Sequence, residues 1–261
     1  MLTSLFYLYL QMFIKHTFFI ILISIAAITN AKELKTIELP SGEETEVRIF
    51  PSKGNILIIG FACDNGKSKH EEATSISLAE DGIEVWMPDM LSTYMLPKSR
   101  SSYEEIPGED LAHIIYEAIA TNKDVYIVGS GSDTQLLLKV AAQWKKDYPD
   151  YKNLKGAILL FPRLNDGEPE PGVEPKYVSS VGTTTIPLMV LEGGRTPNRW
   201  GVNHLSQKLG SSGSQVISKI VPGIRGYFFN RNDPNRTEDV VTSQLSGLVK
   251  VSLHYLQELE K

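Results

Sequence analysis

Asp124-Val-Tyr-Ile-Val-Gly-Ser-Gly-Ser-Asp-Thr-Gln-Leu-Leu-Leu138 decides the fold. Its first half is apolar at successive positions, as a strand buried on both faces requires. Its second half opens a helix, and Gly129-Ser130-Gly131-Ser132 between them permits a sharp turn. A strand entering a helix through a glycine turn is half of a β-α-β unit, so the neighbouring sequence should repeat the pattern.

It does so in both directions. Upstream, Asn55-Ile-Leu-Ile-Ile-Gly60 and Gly82-Ile-Glu-Val-Trp-Met-Pro88 are apolar runs, each followed by a helical stretch: residues 69–81 after the first and 104–121 after the second. The latter places Leu111, Ile114, Ile115, Ala118 and Ile119 at helical spacing. Downstream, strands are predicted over Lys155-Gly-Ala-Ile-Leu-Leu-Phe161, Ile186-Pro-Leu-Met-Val-Leu191 and Gln215–Val221. Helices are predicted over 134–146, 199–209 and 237–260. Thr36–Leu39 and Thr45–Phe50 flank Pro40-Ser41-Gly42 and predict an antiparallel hairpin. Regular alternation implies one α/β domain with a mostly parallel central sheet flanked by helices, the Asp124 strand central. Residues 163–184, rich in Pro, Gly and Glu, are expected to form a long loop or small cap.

Residues 1–31 read as a targeting segment. Lys15-His16 precede the apolar run Thr17–Ile28, and Thr29-Asn30-Ala31 provides a small-residue exit before Lys32. The run is shorter than the roughly 20 apolar residues of a spanning helix. The expectation is therefore export, to a periplasm or beyond the cell, with cleavage near Ala31 and a mature domain over 32–261. Met12 is an alternative start. With Met1 and the added apolar stretch Leu5–Leu10, an uncleaved membrane anchor is the alternative. No cysteine lies at the exit for lipid attachment.

The chain is 42% hydrophobic and 22% charged, with a net charge of −5. Removal of the leader, with Lys15 and no acid, makes the charge one unit more negative. An acidic chain with no basic tract has no footprint for nucleic acid. The single cysteine, Cys63, has no internal disulfide partner, and is expected to be a buried small hydrophobe or a free thiol. No His pair, Cys pair or acidic repeat has metal-ligand spacing, so no metal and no cofactor is expected. Gly60-Phe-Ala-Cys-Asp-Asn-Gly66-Lys67-Ser68 imitates a phosphate-binding loop, but has five residues between its glycines where four are needed. Gly129-Ser-Gly-Ser-Asp-Thr134 imitates a dinucleotide fingerprint, but has Thr134 in place of the third glycine.

The turn at Gly129–Asp133 more closely resembles the nucleophile elbow of the α/β-hydrolases, which lifts a serine to the top of the sheet in G-x-S-x-G. Further segments resemble that superfamily in order: Leu57-Ile-Ile-Gly-Phe61, Gly82–Asp89, Ile186–Pro197 and Val221-Pro-Gly-Ile-Arg-Gly226-Tyr-Phe. The resemblance covers nearly all of residues 36–260 and is to relatives of the dienelactone-hydrolase and esterase kind.

The resemblance also maps the triad onto residues that lack its chemistry. Gly131 falls on the nucleophile, Thr196 on the acid and Gly226 on the histidine. Ile59 replaces the histidine before the glycine of the oxyanion loop. A serine nucleophile needs a base and a group that orients the base; glycine and threonine supply none of these. Ser130 and Ser132 flank the apex as possible substitutes. His70, His113, His204 and His254 lie in helices away from the family's base position, Cys63 lies near the oxyanion loop, and Asp89 and Glu192 end strands on the site side, as turn residues first and pocket-lining residues second. The leading expectation is a non-catalytic protein that binds a small molecule or an envelope protein partner through this face, with Ile59, Phe61, Ser130 and Ser132 as candidate contacts. The alternative is a carboxylic ester hydrolase with Ser130 or Ser132 as a displaced nucleophile. A purely structural role in an envelope complex is a third expectation.

Overall fold

The computed structural model describes residues 32–61, 69–170 and 172–259. The leader, Cys63 and all of the phosphate-loop imitation after Phe61 lie outside the described residues.

Eight strands form one sheet in the order β1-β2-β4-β3-β5-β6-β7-β8. β1 (Glu33–Glu38) and β2 (Glu44–Phe50) make the expected antiparallel hairpin, and β2 also pairs antiparallel with β4 (Ile83–Pro88). β3 (Ile56–Phe61), β5 (Asp124–Ser130), β6 (Leu154–Leu160), β7 (Leu188–Gly193) and β8 (Val216–Val221) complete a parallel array with β4. β5 lies between β3 and β6, in the middle of the sheet, as its uninterrupted apolar character predicts.

Alternation along these strands divides the core in two. Leu57, Ile59, Val125, Ile127, Ala157, Leu159, Leu188 and Val190 share one cluster with α4 (Gly108–Ile119) and α5 (Thr134–Asp147). Ile58, Val85, Met87, Tyr126, Ile158, Leu160, Met189 and Leu191 share the other with α1 (Lys69–Glu80) and α8 (Leu245–Glu258). Covering both faces with helices removes the side chains of the central strands β3 to β7 from water, which is what stabilises a parallel sheet.

Three helices differ from expectation. The stretch over 104–121 is broken into α3 (Arg100–Glu105) and α4, because Pro107 forces Ile106 into extended backbone (φ −67°, ψ 124°). The closing helix is divided at Gln244 into α7 (Arg236–Ser243) and α8. α7 buries Glu238, whereas α8 lays Leu245, Val249, Leu253 and Leu256 onto the sheet, so the two segments answer to different partners. The helix over 199–209 starts as a 3₁₀ turn, Pro197–Gly201, before α6 (Val202–Leu209). A short helix absent from the sequence reading, α2 (Met90–Thr93), is capped by the Asp89 side chain, which accepts from the Ser92 amide. The described part of residues 163–184 is largely irregular, with an isolated bridge between Asn165 and Tyr177.

Candidate functional site

β5 ends at Ser130, and the chain passes through a 3₁₀ turn, Gly131–Asp133, directly into α5. Gly131 lies at the apex with φ +55°, a conformation that L side chains adopt at a cost. Its carbonyl accepts from the Thr134 hydroxyl (2.5 Å) and from the Arg163 amide (2.9 Å), which fixes the turn against the end of β6.

The position of a side chain on Gly131 is already taken. An ideal Cβ there would lie 1.3 Å from Tyr227 Oη and 2.1 Å from Cζ. The Tyr227 hydroxyl accepts from the Ser132 amide at 3.2 Å and reaches the Ser130 carbonyl at 3.3 Å as donor. Tyr227 itself has φ +56°, and the Arg163 guanidinium stacks over its ring at 4.7 Å. Phe161, just past β6, has φ +50°. Two non-glycine residues in the left-handed region, Phe161 and Tyr227, thus lie around the turn, a pattern associated with functional sites.

The other two mapped positions are adjacent. An ideal Cβ on Gly226 would be 3.5 Å from Thr196 Cγ2, ordinary contact. The Thr196 hydroxyl donates to Glu192 Oε1 (3.0 Å) and to the Gly193 carbonyl (2.9 Å). The Gly193 amide also donates to Glu192 Oε1, at 2.7 Å. Glu192 is buried, and burial pushes its carboxyl above the usual range; these hydrogen bonds and the charge of Arg163 counter that only in part. The structure therefore brings Gly131, Thr196 and Gly226 to one place, with Tyr227 between them.

A second group of charges holds the segment that presents Tyr227. The Arg225 guanidinium donates to both carboxylate oxygens of buried Glu238 (2.8 and 2.6 Å) and to Asp233 (3.0 Å). Glu238 also accepts from the Asn235 amide and, with Asn235, forms the capping box of α7. The Arg225 pairing holds the Glu238 carboxyl down at about 2 and keeps Asp233 below its ordinary value.

The remaining candidates are dispersed. Ser130 is buried and lines an apolar cavity of about 90 Å³ with Phe61, Ile58, Val128, Leu160 and Phe229. Ser132 is half-buried beside the apex. Ile59 packs in the cluster beneath α4 and α5, with no exposed surface. His204 accepts or donates between Tyr177 Oη (2.9 Å) and Glu174 (2.8 Å), tying the 163–184 loop to α6. His113 stacks on Tyr116, His254 lies against Tyr255, and His70 lines a groove between α1 and α7. Among the described residues no cluster of three His, Cys, Asp or Glu has metal-site geometry.

Sequence reasoning missed Tyr227, Arg163 and Arg195, and put Glu192 first as a turn residue and second as a pocket-lining one; it lines two cavities. The available signal was the position of Tyr227, immediately after the residue mapped to the histidine; that its ring turns back onto Gly131 is a tertiary fact.

Comparison with solved structures settles the architecture. A *Pyrobaculum calidifontis* esterase is 14% identical, with 89% of each chain covered and a TM-score of 0.60. The fold is that of the α/β-hydrolases. A putative dienelactone hydrolase from *Klebsiella pneumoniae* subsp. *pneumoniae* is 17% identical over 82% of this chain and 96% of that one, at a TM-score of 0.57. An esterase from *Rhizomucor miehei* is 14% identical over 87% and 84%, at 0.60. No family model and no curated protein matches the sequence. At these identities the α/β-hydrolase likeness is one of fold, and the chemistry must be argued from the site.

Proposed function

We propose that this protein is an exported α/β-hydrolase-fold protein that binds a small molecule or a partner protein at its strand-end face and does not hydrolyse one. The observation that carries this reading is the Tyr227 hydroxyl, 1.3 Å from where a nucleophile's Cβ would stand on Gly131. The same hydroxyl accepts the Ser132 amide, an amide that in the nucleophile-elbow arrangement faces the oxyanion. Thr196 and Gly226 at the partner positions offer neither an orienting acid nor an imidazole. Export rests on the composition of residues 1–31.

An ester hydrolase with a displaced serine is the second reading, favoured by the esterases among the fold neighbours. Ser130 or Ser132 would be the nucleophile. The two readings part on covalent chemistry. Purified protein exposed to a fluorophosphonate probe is expected to remain unlabelled, with no turnover of short-chain p-nitrophenyl esters above background. Labelling that disappears in Ser130→Ala or Ser132→Ala would replace the binding role with the hydrolase. Slow turnover alone decides nothing, because sites stripped of a triad keep roughly 10³–10⁴-fold acceleration from binding and oxyanion contacts.

A further inference from the structure

We propose that the apolar cavity beneath Ser130 receives the unbranched aliphatic chain of a small amphiphile whose polar end faces the strand-end rim. This names the ligand class for the binding role proposed above and rests on it. The cavity lies between the sheet and the helices α1 and α8, with Ile58, Met87, Val128, Leu160, Phe229 and Val249 in its wall. Its volume is about 90 Å³. One water needs roughly 10–15 Å³ of such space, and an apolar cavity of about 150 Å³ holds a benzene ring. The space exceeds one water several-fold and falls short of a ring, which leaves a narrow chain.

Gly60 makes the space. It lies inside β3 and lines the cavity, and a glycine in a strand interior weakens the strand unless something requires it. Three ordinary requirements are not met. Its φ is outside the left-handed region. The pairing of β3 with β5 runs through Gly60 to Phe61 without a register shift, so no bulge demands it. Among the described residues, the nearest atoms that an ideal Cβ would meet are side-chain carbons, Met87 Cε at 3.6 Å and Val128 Cγ1 at 3.8 Å. Those are ordinary contacts, so no close backbone demands a glycine either. The requirement that remains is a place kept open for a ligand.

The wall suits a hydrocarbon better than water. The Thr74 hydroxyl donates to the His70 carbonyl at 2.7 Å and the Ser75 hydroxyl to the Glu71 carbonyl at 2.8 Å, both within α1. Those hydroxyls are satisfied by their own helix, whereas a buried water needs about two to four polar partners. An unfilled apolar wall forfeits dispersion contacts, and a chain restores them. The rest of the polar lining is Glu71, in the first turn of α1, and Ser130, at the end of β5. Ile58 and Val85, paired in register, lie deeper along the strands. This gradient sets the orientation, with the chain inward and its polar end toward the rim.

The test is an NMR titration of the full-length protein, isotope-labelled in its methionine methyls, with n-pentanol, the pentanediol carrying a hydroxyl at each end, and benzyl alcohol. n-Pentanol is expected to shift the Met87 methyl saturably, with a Kd of roughly 1–10 mM. The methyls of Met90, in the other core cluster, and of exposed Met95 should stay where they are. The diol would bury a hydroxyl at the apolar end and is expected not to bind. Gly60→Val places a side chain in the space and should weaken n-pentanol roughly tenfold or more. Should that variant fold poorly, Leu160→Ala works in the opposite direction: it enlarges the cavity and should admit benzyl alcohol, which the parent rejects. A Met87 methyl unmoved by n-pentanol up to about 100 mM, or moved equally by the diol, would overturn the assignment, as would responses unchanged in both variants. n-Pentanol binding together with fluorophosphonate labelling would sink the non-catalytic reading and keep the chain site. Absence of both would sink the chain site and keep that reading.

Discussion

The middle of the sheet and its C-terminal rim are built on opposite rules. Along β3, β5 and β6 nearly every side chain is buried and apolar, backbone pairing is close to regular, and helices cover both faces. One residue beyond β5 and β6, Gly131 and Phe161 have positive φ, as has Tyr227 beyond β8, Glu192 is buried, and four arginines line one cavity. The interior follows local propensity and apolar packing together; the rim departs from them, with two non-glycine residues in the left-handed region and a buried carboxyl. Violations concentrated in one place are expected where structure serves a site rather than stability.

The sharpest way to break this contrast is to truncate each region. Ile127, with no exposed surface, belongs to the interior. Ile127→Ala is expected to cost roughly 2–5 kcal/mol and lower Tm by about 5–15 °C. Tyr227→Ala removes a larger side chain yet is expected to cost less, since it also releases a crowded turn. Thermal unfolding in which Tyr227→Ala matches or exceeds Ile127→Ala would erase the distinction.

A medium effect is expected at the apex. Gly131→Ser should lower Tm by several degrees, because its Cβ has nowhere to go while Tyr227 stands. In a Tyr227→Ala background the loss should shrink to the backbone cost of φ +55°, about 1–2 kcal/mol. Additive losses in this double-mutant cycle would mean that Tyr227 does not occupy the apex. Rebuilding a triad with Gly131→Ser, Thr196→Asp and Gly226→His therefore also requires Tyr227→Ala.

The smallest effect concerns Glu192 and is a gain. Its folded-state carboxyl titrates above the ordinary value, so its contribution is fully present below the unfolded pKa and is lost as pH rises through the folded one. Glu192→Gln keeps an oxygen to accept from Gly193 and Thr196. It should melt above the parent at pH 7.5, with the advantage shrinking toward pH 4. An advantage that is flat across this range would show that Glu192 carries no buried charge at neutral pH.

Most of the fold was legible in the chain. Apolar runs of strand length, separated by helical periodicity, placed the parallel strands within two residues at nearly every end. Where the reading failed, one residue overrode periodicity: Pro107 split a helix whose apolar spacing looked continuous. Of the site, Gly131, Thr196 and Gly226 were legible because they occupy positions in ordered motifs, and the structure brings them together. Tyr227, Arg163 and Arg195 carried no spacing to mark them. Their distances in sequence from Gly131 are set by intervening strands, and an arginine in a loop is ordinarily a solvated one.

The sequence by itself determined the order and direction of the elements, because hydrophobic periodicity is a local property and a parallel sheet admits few connections. It also put a glycine, which has no side chain, at the apex of the turn after β5. What only the tertiary structure decided is what stands there instead. The Tyr227 ring reaches Gly131 from 96 positions away in numbering, through φ +56° at its own backbone, and its hydroxyl takes the Ser132 amide. Such a contact arises from close packing in three dimensions, where the space left by an absent Cβ is filled by whichever side chain the fold brings nearest.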